Sequence, residues 1–573
     1  MAPALKRYDW ILAIISIAFV CSSFGNGAND VANSFATSVA ARTLTMPQVG
    51  VISACTEFVG AVALGSRVTS TIKNGIMNIS KFENSPAVLM LVMGCAEIGS
   101  AFWLIFATSL GFPVSTTQTI VGALVGSGIA STATIKWEWS EGSVSQIAAS
   151  WAIAPLISGA ISAILFATLK FAILERKDPL KRALRAIPVY FAFTAGVLTL
   201  FIIVELPQSE DLENFPLGTL LGSILGVFFG ILLFSIVFMV PFFHRRLVQE
   251  DSRVRIWHVP LGPLLYRENQ WLYFPGAADS EIVTDYYEEG HDPRYPETTQ
   301  GEKSFDINSN KSTNEIAGKD VEAATGESTA VPNTTGEPVR LRKRRPEPEE
   351  RWLVPVRHLP IYHPKKLLNW LKWLALQGVS RDCITHQSEH IRKAHSLATR
   401  YDNRVEHLWT YAQVVSAMMM SIAHGSNDVA NAVGPWVATY DVYMTGVVES
   451  KTDTPIWILV IAGILLGAGF WFFGYHIIRA LGNRITQLSP TRGFSMELGA
   501  AITVLMASRL GLPVSTTQCL TGSVMGVALM NLSLGAVNWR QMAYILMGWM
   551  LTLPCAGLIS GLLCVMALNA PHF

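Results

Sequence analysis

Apolar positions along this chain gather into long runs separated by short polar turns. The runs fall at roughly 9–28, 47–65, 86–108, 112–131, 147–174, 187–206 and 216–243, then at 407–424, 455–478, 495–510, 512–532 and 541–568. About twenty apolar residues in a helix cross a bilayer core of roughly 30 Å, so the pattern predicts an all-α polytopic membrane protein with about twelve spans or half-spans. Small residues four apart, Gly122 with Gly126 and Gly522 with Gly526, predict close helix contacts. Between 245 and 405 the pattern fails. That interval holds KSTNEIAGKDVEAATGESTA and EPVRLRKRRPEPEER, and its middle, about 285–350, is expected to be disordered.

Polar residues interrupt the apolar runs in the same way twice. Residues 27–33 read GANDVAN and residues 425–431 read GSNDVAN, each at the end of a run. A carboxylate at such depth costs several kcal/mol unless something pairs with it. No lysine or arginine stands beside Asp30 or Asp428, so a bound cation is the expected partner. Asn29 and Asn33 lie one helical turn apart with Asp30 beside them, as do Asn427 and Asn431 around Asp428, and these are hard oxygen ligands suited to sodium.

A longer match follows. Residues 97–126, EIGSAFWLIFATSLGFPVSTTQTIVGALVG, align without a gap to 497–526, ELGAAITVLMASRLGLPVSTTQCLTGSVMG. The offset is 400 residues here and 398 for the first motif, so the order of elements holds across both halves. Seven spans separate the starts of the halves. Because seven is odd, the halves are inverted relative to one another, as in many secondary transporters. The chain divides into a first transmembrane repeat (1–175), linking transmembrane helices (176–244), the central loop (245–405) and a second, inverted repeat (406–573). PVSTTQ is expected to break a helix, with Pro113 opening the next one. Ser115, Thr116, Thr117 and Gln118, with Ser515, Thr516, Thr517 and Gln518, then supply two facing donor clusters at helix N-termini, suited to a tetrahedral oxyanion.

Three acids remain in the spans. Glu97 and Glu497 match by the repeat, whereas Glu57 has only the apolar stretch near Ile456 and Trp457 as counterpart. His424 precedes the second motif where the first has Asn26; it is either a hydrogen-bonded core residue or a group that senses pH or substrate charge.

Half the residues are hydrophobic, 15% are charged and the net charge is +1, with no basic stripe for nucleic acid. Six of the seven cysteines sit in apolar runs without CxxC spacing, which argues against a disulfide framework or zinc site. No nucleophile–base arrangement or Walker loop is present, so no enzyme activity and no cofactor are expected. Basic residues flank the central loop (His244, Arg245, Arg246, Lys365, Lys366) and fill 175–185, which places both in the cytoplasm; the acidic 207–214 loop faces out. Counting spans then puts both termini outside.

GANDVAN, GSNDVAN and the paired PVSTTQ segments resemble the inorganic phosphate transporter family, above all its fungal high-affinity sodium–phosphate symporters. The resemblance covers both membrane halves and not the central loop. It implies symport of phosphate with sodium into the cell across the plasma membrane, and a homodimer. It also gives functional weight to Asp30, Asp428, the Ser-Thr-Thr clusters, Glu57 and Glu497. Gln118 and Gln518 stand where animal relatives often have histidine, a departure that leaves the fine pH response and the anion preference open. The alternative is a proton-coupled symporter of phosphate or another oxyanion, using a glutamate or His424 as proton carrier.

Overall fold

The computed structural model describes residues 3–570 apart from 66–68, 70–71, 73–74, 141, 206–215, 268–281, 288–289, 292–330, 333–337, 340–341, 344, 386–388, 450–453 and 511. The acidic 207–214 loop and most of the expected disordered stretch lie outside the described residues. The first repeat comprises α1 (Asp9–Asn26), α2 (Ala32–Ala40), α3 (Met46–Leu64), α4 (Pro86–Ser109), α5 (Thr116–Ala130) and α6 (Val144–Leu169). The linking helices are α7 (Pro179–Glu205) and α8 (Leu217–Phe234). The central segment carries α9 (Pro364–Leu376) and α10 (Glu389–Ser396). The second repeat holds α11 (Asn403–Thr445), α12 (Ile456–Phe473), α13 (Tyr475–Leu481), α14 (Pro490–Arg509), α15 (Thr516–Leu529) and α16 (Trp539–Leu568).

Eight helices among the described residues are long and apolar enough to cross a membrane. The other four expected spans fall short for two reasons. The 15 residues of α5 and the 14 of α15 are half-helices of about 22 Å, while α11 and α14 carry too many polar groups. The first motif does not end its span. One widened turn at Gly27–Val31 joins α1 to α2, and the second motif lies inside the unbroken 43-residue α11. Neighbouring helices hydrogen-bond Asp30, Asn33, Asp428 and Asn431 laterally, so no chain break is needed.

The repeats exchange partners. α5 packs on α16, where a Cβ at Gly126 would meet the Gly557 carbonyl at 2.0 Å, and α15 packs on α6, where one at Gly526 would meet the Gly159 carbonyl at 2.1 Å. Only glycine permits backbones this close. Each half-helix is therefore held by the last helix of the opposite repeat. α8 lies at the periphery with no buried residue, as a lipid-facing helix should.

The edges of the stretch expected to be disordered are ordered. Tyr286 and Tyr287 are buried against the start of α11: the Tyr287 hydroxyl donates to Glu406 Oε1 at 2.6 Å, and the Tyr286 hydroxyl meets His407 Nδ1 at 2.8 Å. At the other edge Glu347 and Glu349 hold Arg381 at 3.3 and 2.6 Å, and Glu347 also holds Arg479 of α13 at 2.8 Å. Charged and aromatic residues thus anchor both ends of a segment whose composition supports no core.

Candidate functional site

Two helix breaks create the site. α4 ends at Ser109 and α5 begins at Thr116; α14 ends at Arg509 and α15 begins at Thr516. Pro113 stands ahead of the new helix, not in its first turn. Ser115 and Ser515 are the N-caps, each hydroxyl accepting from the backbone N–H three residues on, at 3.1 and 3.3 Å. These two serines are therefore committed to their helix ends.

The threonines that follow join the repeats. The Thr116 hydroxyl donates to Asp30 Oδ2 at 2.6 Å and the Thr516 hydroxyl to Asp428 Oδ2 at 2.7 Å. Crossing between repeats, the Thr517 hydroxyl donates to Asp30 Oδ1 at 2.8 Å, and Thr117 reaches Asp428 Oδ1 at 3.4 Å. Asn33 Nδ2 donates to the Thr517 hydroxyl at 2.6 Å, and Asn431 Nδ2 to Thr116 and Thr117 at 3.0 and 3.2 Å. All these residues are buried. The hydroxyls face one another as the sequence implied, but in this conformation they serve the carboxylates. A buried carboxylate takes whatever donors adjoin it, since leaving it bare is costly.

Several buried polar atoms are left without a partner, the donor Asn427 Nδ2 and five amide oxygens among them. Asn33 Oδ1, Asn431 Oδ1, Gln118 Oε1, Gln518 Oε1 and Asn427 Oδ1 are buried and have no hydrogen-bond partner. Four of the five form repeat-related pairs. Amide oxygens without donors suit a hard cation where the residue adjoins a carboxylate, as Asn33 and Asn431 do, their Nδ2 atoms donating to Asp30 and Asp428 at 3.2 and 3.3 Å. One ligand atom each from Asp30, His424 and Asp428 also falls within 4.8 Å of the others.

His424 is not a lone histidine. Its Nδ1 faces Glu57 Oε2 at 2.7 Å, and its Nε2 lies 3.0 Å from Asp428 Oδ2, off the line of a hydrogen bond. The Ser421 hydroxyl donates to Glu57 Oε1 at 2.6 Å. Glu57 therefore reaches the second motif through His424, a link the repeat pattern could not supply because its counterpart near Ile456 is apolar.

The repeat is broken in two places. Glu497 accepts from Thr37 and Ser38 of α2 at 2.5 and 2.6 Å and from Gln413 and Ser416 of α11 at 3.2 and 2.6 Å. Glu97, equally buried, has no hydrogen-bond partner on either oxygen, with Ser22 beside it but outside bonding geometry. Shifting the four donors by the repeat offset explains why. It lands on Pro435, Trp436, Ile15 and Ala18, none with a side-chain oxygen to offer. The two asparagines also differ. Asn29 ties down the first break, donating to Thr108 and the Phe112 carbonyl at 2.9 and 3.0 Å and accepting from the Val114 N–H at 3.2 Å. Asn427 and Ser508, its equivalents at the second break, make no such bonds. The expected ligand Asn29 is thus engaged at the first helix break.

Sequence reasoning passed over Thr37, Ser38, Gln413, Ser416 and Ser421. A signal existed: Gln413, Ser416, His424, Asn427, Asp428 and Asn431 recur at helical spacing down one face of an otherwise apolar run.

Known proteins resemble this chain over nearly its whole length. The phosphate-repressible phosphate permease of Neurospora crassa is 37% identical, over 99% of both chains. Sodium-dependent phosphate transporter 2 of Xenopus tropicalis is 29% identical over 97% of each. A solved structure titled the sodium-dependent phosphate transporter superposes with a TM-score of 0.63 and 25% identity, covering 98% of this chain and 99% of that one. A profile described as Phosphate transporter family matches residues 26–560, and the chain belongs to that family.

Proposed function

We propose that this phosphate transporter family member is a sodium-coupled symporter that carries inorganic phosphate into the cell. The observation that carries the reading is the set of buried amide oxygens without donors, with the repeat-related Asn33 and Asn431 directly beside Asp30 and Asp428. Sodium is the cargo that fits them. Asp30, Asn33 and Gln118 would hold one ion, and Asp428, Asn431, Asn427 and Gln518 another, with Asn29 positioning the first break.

The coupling follows from the hydroxyls. Thr116, Thr517, Thr516 and Thr117 donate to the two carboxylates. A cation at a carboxylate replaces those donors, and the freed hydroxyls turn to the anion at the facing N-termini of α5 and α15. Phosphate therefore binds well only after sodium, and sodium's charge offsets that of the anion. Such mutual dependence is a coupling free energy between two sites. Glu57 orients His424 beside Asp428, and Glu497 fastens α2 to α11 and α14 behind the site.

The relatives named sodium-dependent phosphate transporters support the choice of ion. The plasma membrane as location, both termini outside and a homodimer remain part of this reading through the resemblance and the placement of basic residues. A second reading, proton coupling, draws on the chain Glu57–His424–Asp428 at 2.7 and 3.0 Å. Proteoliposomes separate the two. A sodium gradient at pH 8 with no pH difference should drive phosphate accumulation. Accumulation with a proton gradient alone would favour the second reading and overturn the first.

A further inference from the structure

The central segment contains a helix whose exposed face is apolar. In α9, Leu367, Trp370, Leu371 and Leu374 are 67%, 53%, 61% and 55% exposed, and Leu368 joins them. On a helical wheel these residues fill one continuous arc of roughly 160°. Asn369, Trp373 and Leu376 occupy another arc, half-buried against the protein. Lys365 and Lys372 lie together between the two arcs, exposed, and the helix has no acidic residue.

Its position is fixed by a membrane span. Trp471, in the last turn of α12, donates from Nε1 to the Ala375 carbonyl at 2.7 Å. Just beyond α9, a Cβ at Gly378 would meet the Trp471 carbonyl at 2.1 Å, so the backbones touch. Trp373 Nε1 donates to Glu349 Oε1 at 3.3 Å on the other side. The helix is therefore pinned at the end of a bilayer-crossing helix, where acyl chains give way to headgroups. Five large apolar side chains left uncovered there match that boundary, and the two lysines match its negative charge.

We propose that α9 lies in the plane of the membrane interface on the side of the central segment, with Leu367, Leu368, Trp370, Leu371 and Leu374 in the acyl region and Lys365 and Lys372 on anionic phospholipid headgroups. The helix is about 20 Å long, enough to rest across several lipids. It anchors the connector between the halves to the bilayer without adding a span.

The test uses the full-length protein in nanodiscs of phosphatidylcholine with phosphatidylserine. Single cysteines replace Leu371, Leu374 or Lys372, and a charged maleimide reports access, with labelling of the native cysteines subtracted. Leu371→Cys and Leu374→Cys should react at least roughly tenfold more slowly than Lys372→Cys, as immersion at the acyl boundary requires. Equal rates would overturn the proposal, as would protection that appears only when soluble protein is added. Should a leucine variant fail to fold, Trp370→Phe provides a second measure. It should lose part of the fluorescence quenching by brominated lipid, and unchanged quenching would count against the placement. Omitting phosphatidylserine should speed labelling of Leu371→Cys, and Lys365→Gln with Lys372→Gln should abolish that difference. No effect of phosphatidylserine in the parent would refute the headgroup contact.

Discussion

Replacing Asp428 by asparagine keeps the shape of the side chain and removes one negative charge. The perturbation is confined because the Thr516 hydroxyl, which donates to Oδ2 at 2.7 Å, can still donate to an amide oxygen. A cation held by the Asp428 carboxylate stands roughly 2.8–4 Å from its charge centre. At an effective dielectric constant near 20, a unit charge at roughly 2.8–4 Å contributes about 4–6 kcal/mol. That corresponds to roughly three to four orders of magnitude in cation affinity. The assay is uptake of radiolabelled phosphate against external sodium, normalised to protein at the surface. Asp428→Asn should reach the surface and show no saturable sodium activation, and Asp30→Asn should behave alike. A wild-type sodium half-saturation in either variant would refute the assignment.

Three further outcomes follow from the geometry. Asn29→Ala removes three hydrogen bonds at the first break and should cost about 1–3 kcal/mol, lowering the melting temperature in detergent; Asn427→Ala breaks none and should melt like the wild type while losing sodium activation. His395 of α10, outside the spans, is held down to about 4 by burial while its Nε2 donates to the Asn483 carbonyl at 2.7 Å. Its folded pKa lies below the ordinary 6.5, so its contribution is complete above that pH and is lost as pH falls from 6.5 toward 4; His395→Gln should flatten thermal stability over that window. Deleting 292–330 should leave the phosphate half-saturation unchanged, whereas a deletion that takes in Tyr286 and Tyr287 should weaken it, because these residues brace the start of α11.

The duplicated motifs made the fold legible. Period and length marked the spans, an odd number of them between repeats required inversion, and glycines at 122, 126, 522 and 526 marked the contacts that now join α5 to α16 and α15 to α6. What could not be read was anything the repeat breaks. Glu97 and Glu497 look equivalent in sequence, yet one meets four donors and the other none, because the donors come from stretches where the halves have diverged. His424 similarly acquires its meaning from Glu57, which lies 367 residues away and has no matched partner. The threonines were expected at helix N-termini facing an anion, and their present partners, the two aspartates, were not foreseen. Spacing puts hydroxyls at a helix end, and only the fold decides which carboxylate lies opposite.

The central claim is that sodium at Asp30 and Asp428 releases the threonine hydroxyls to phosphate. Equilibrium binding of radiolabelled phosphate to the purified full-length protein tests it without a membrane gradient. Binding should be saturable in sodium, negligible in potassium at the same ionic strength, and lost from Asp30→Asn in either salt. Phosphate that binds the wild-type protein equally tightly in potassium and in sodium would contradict the account.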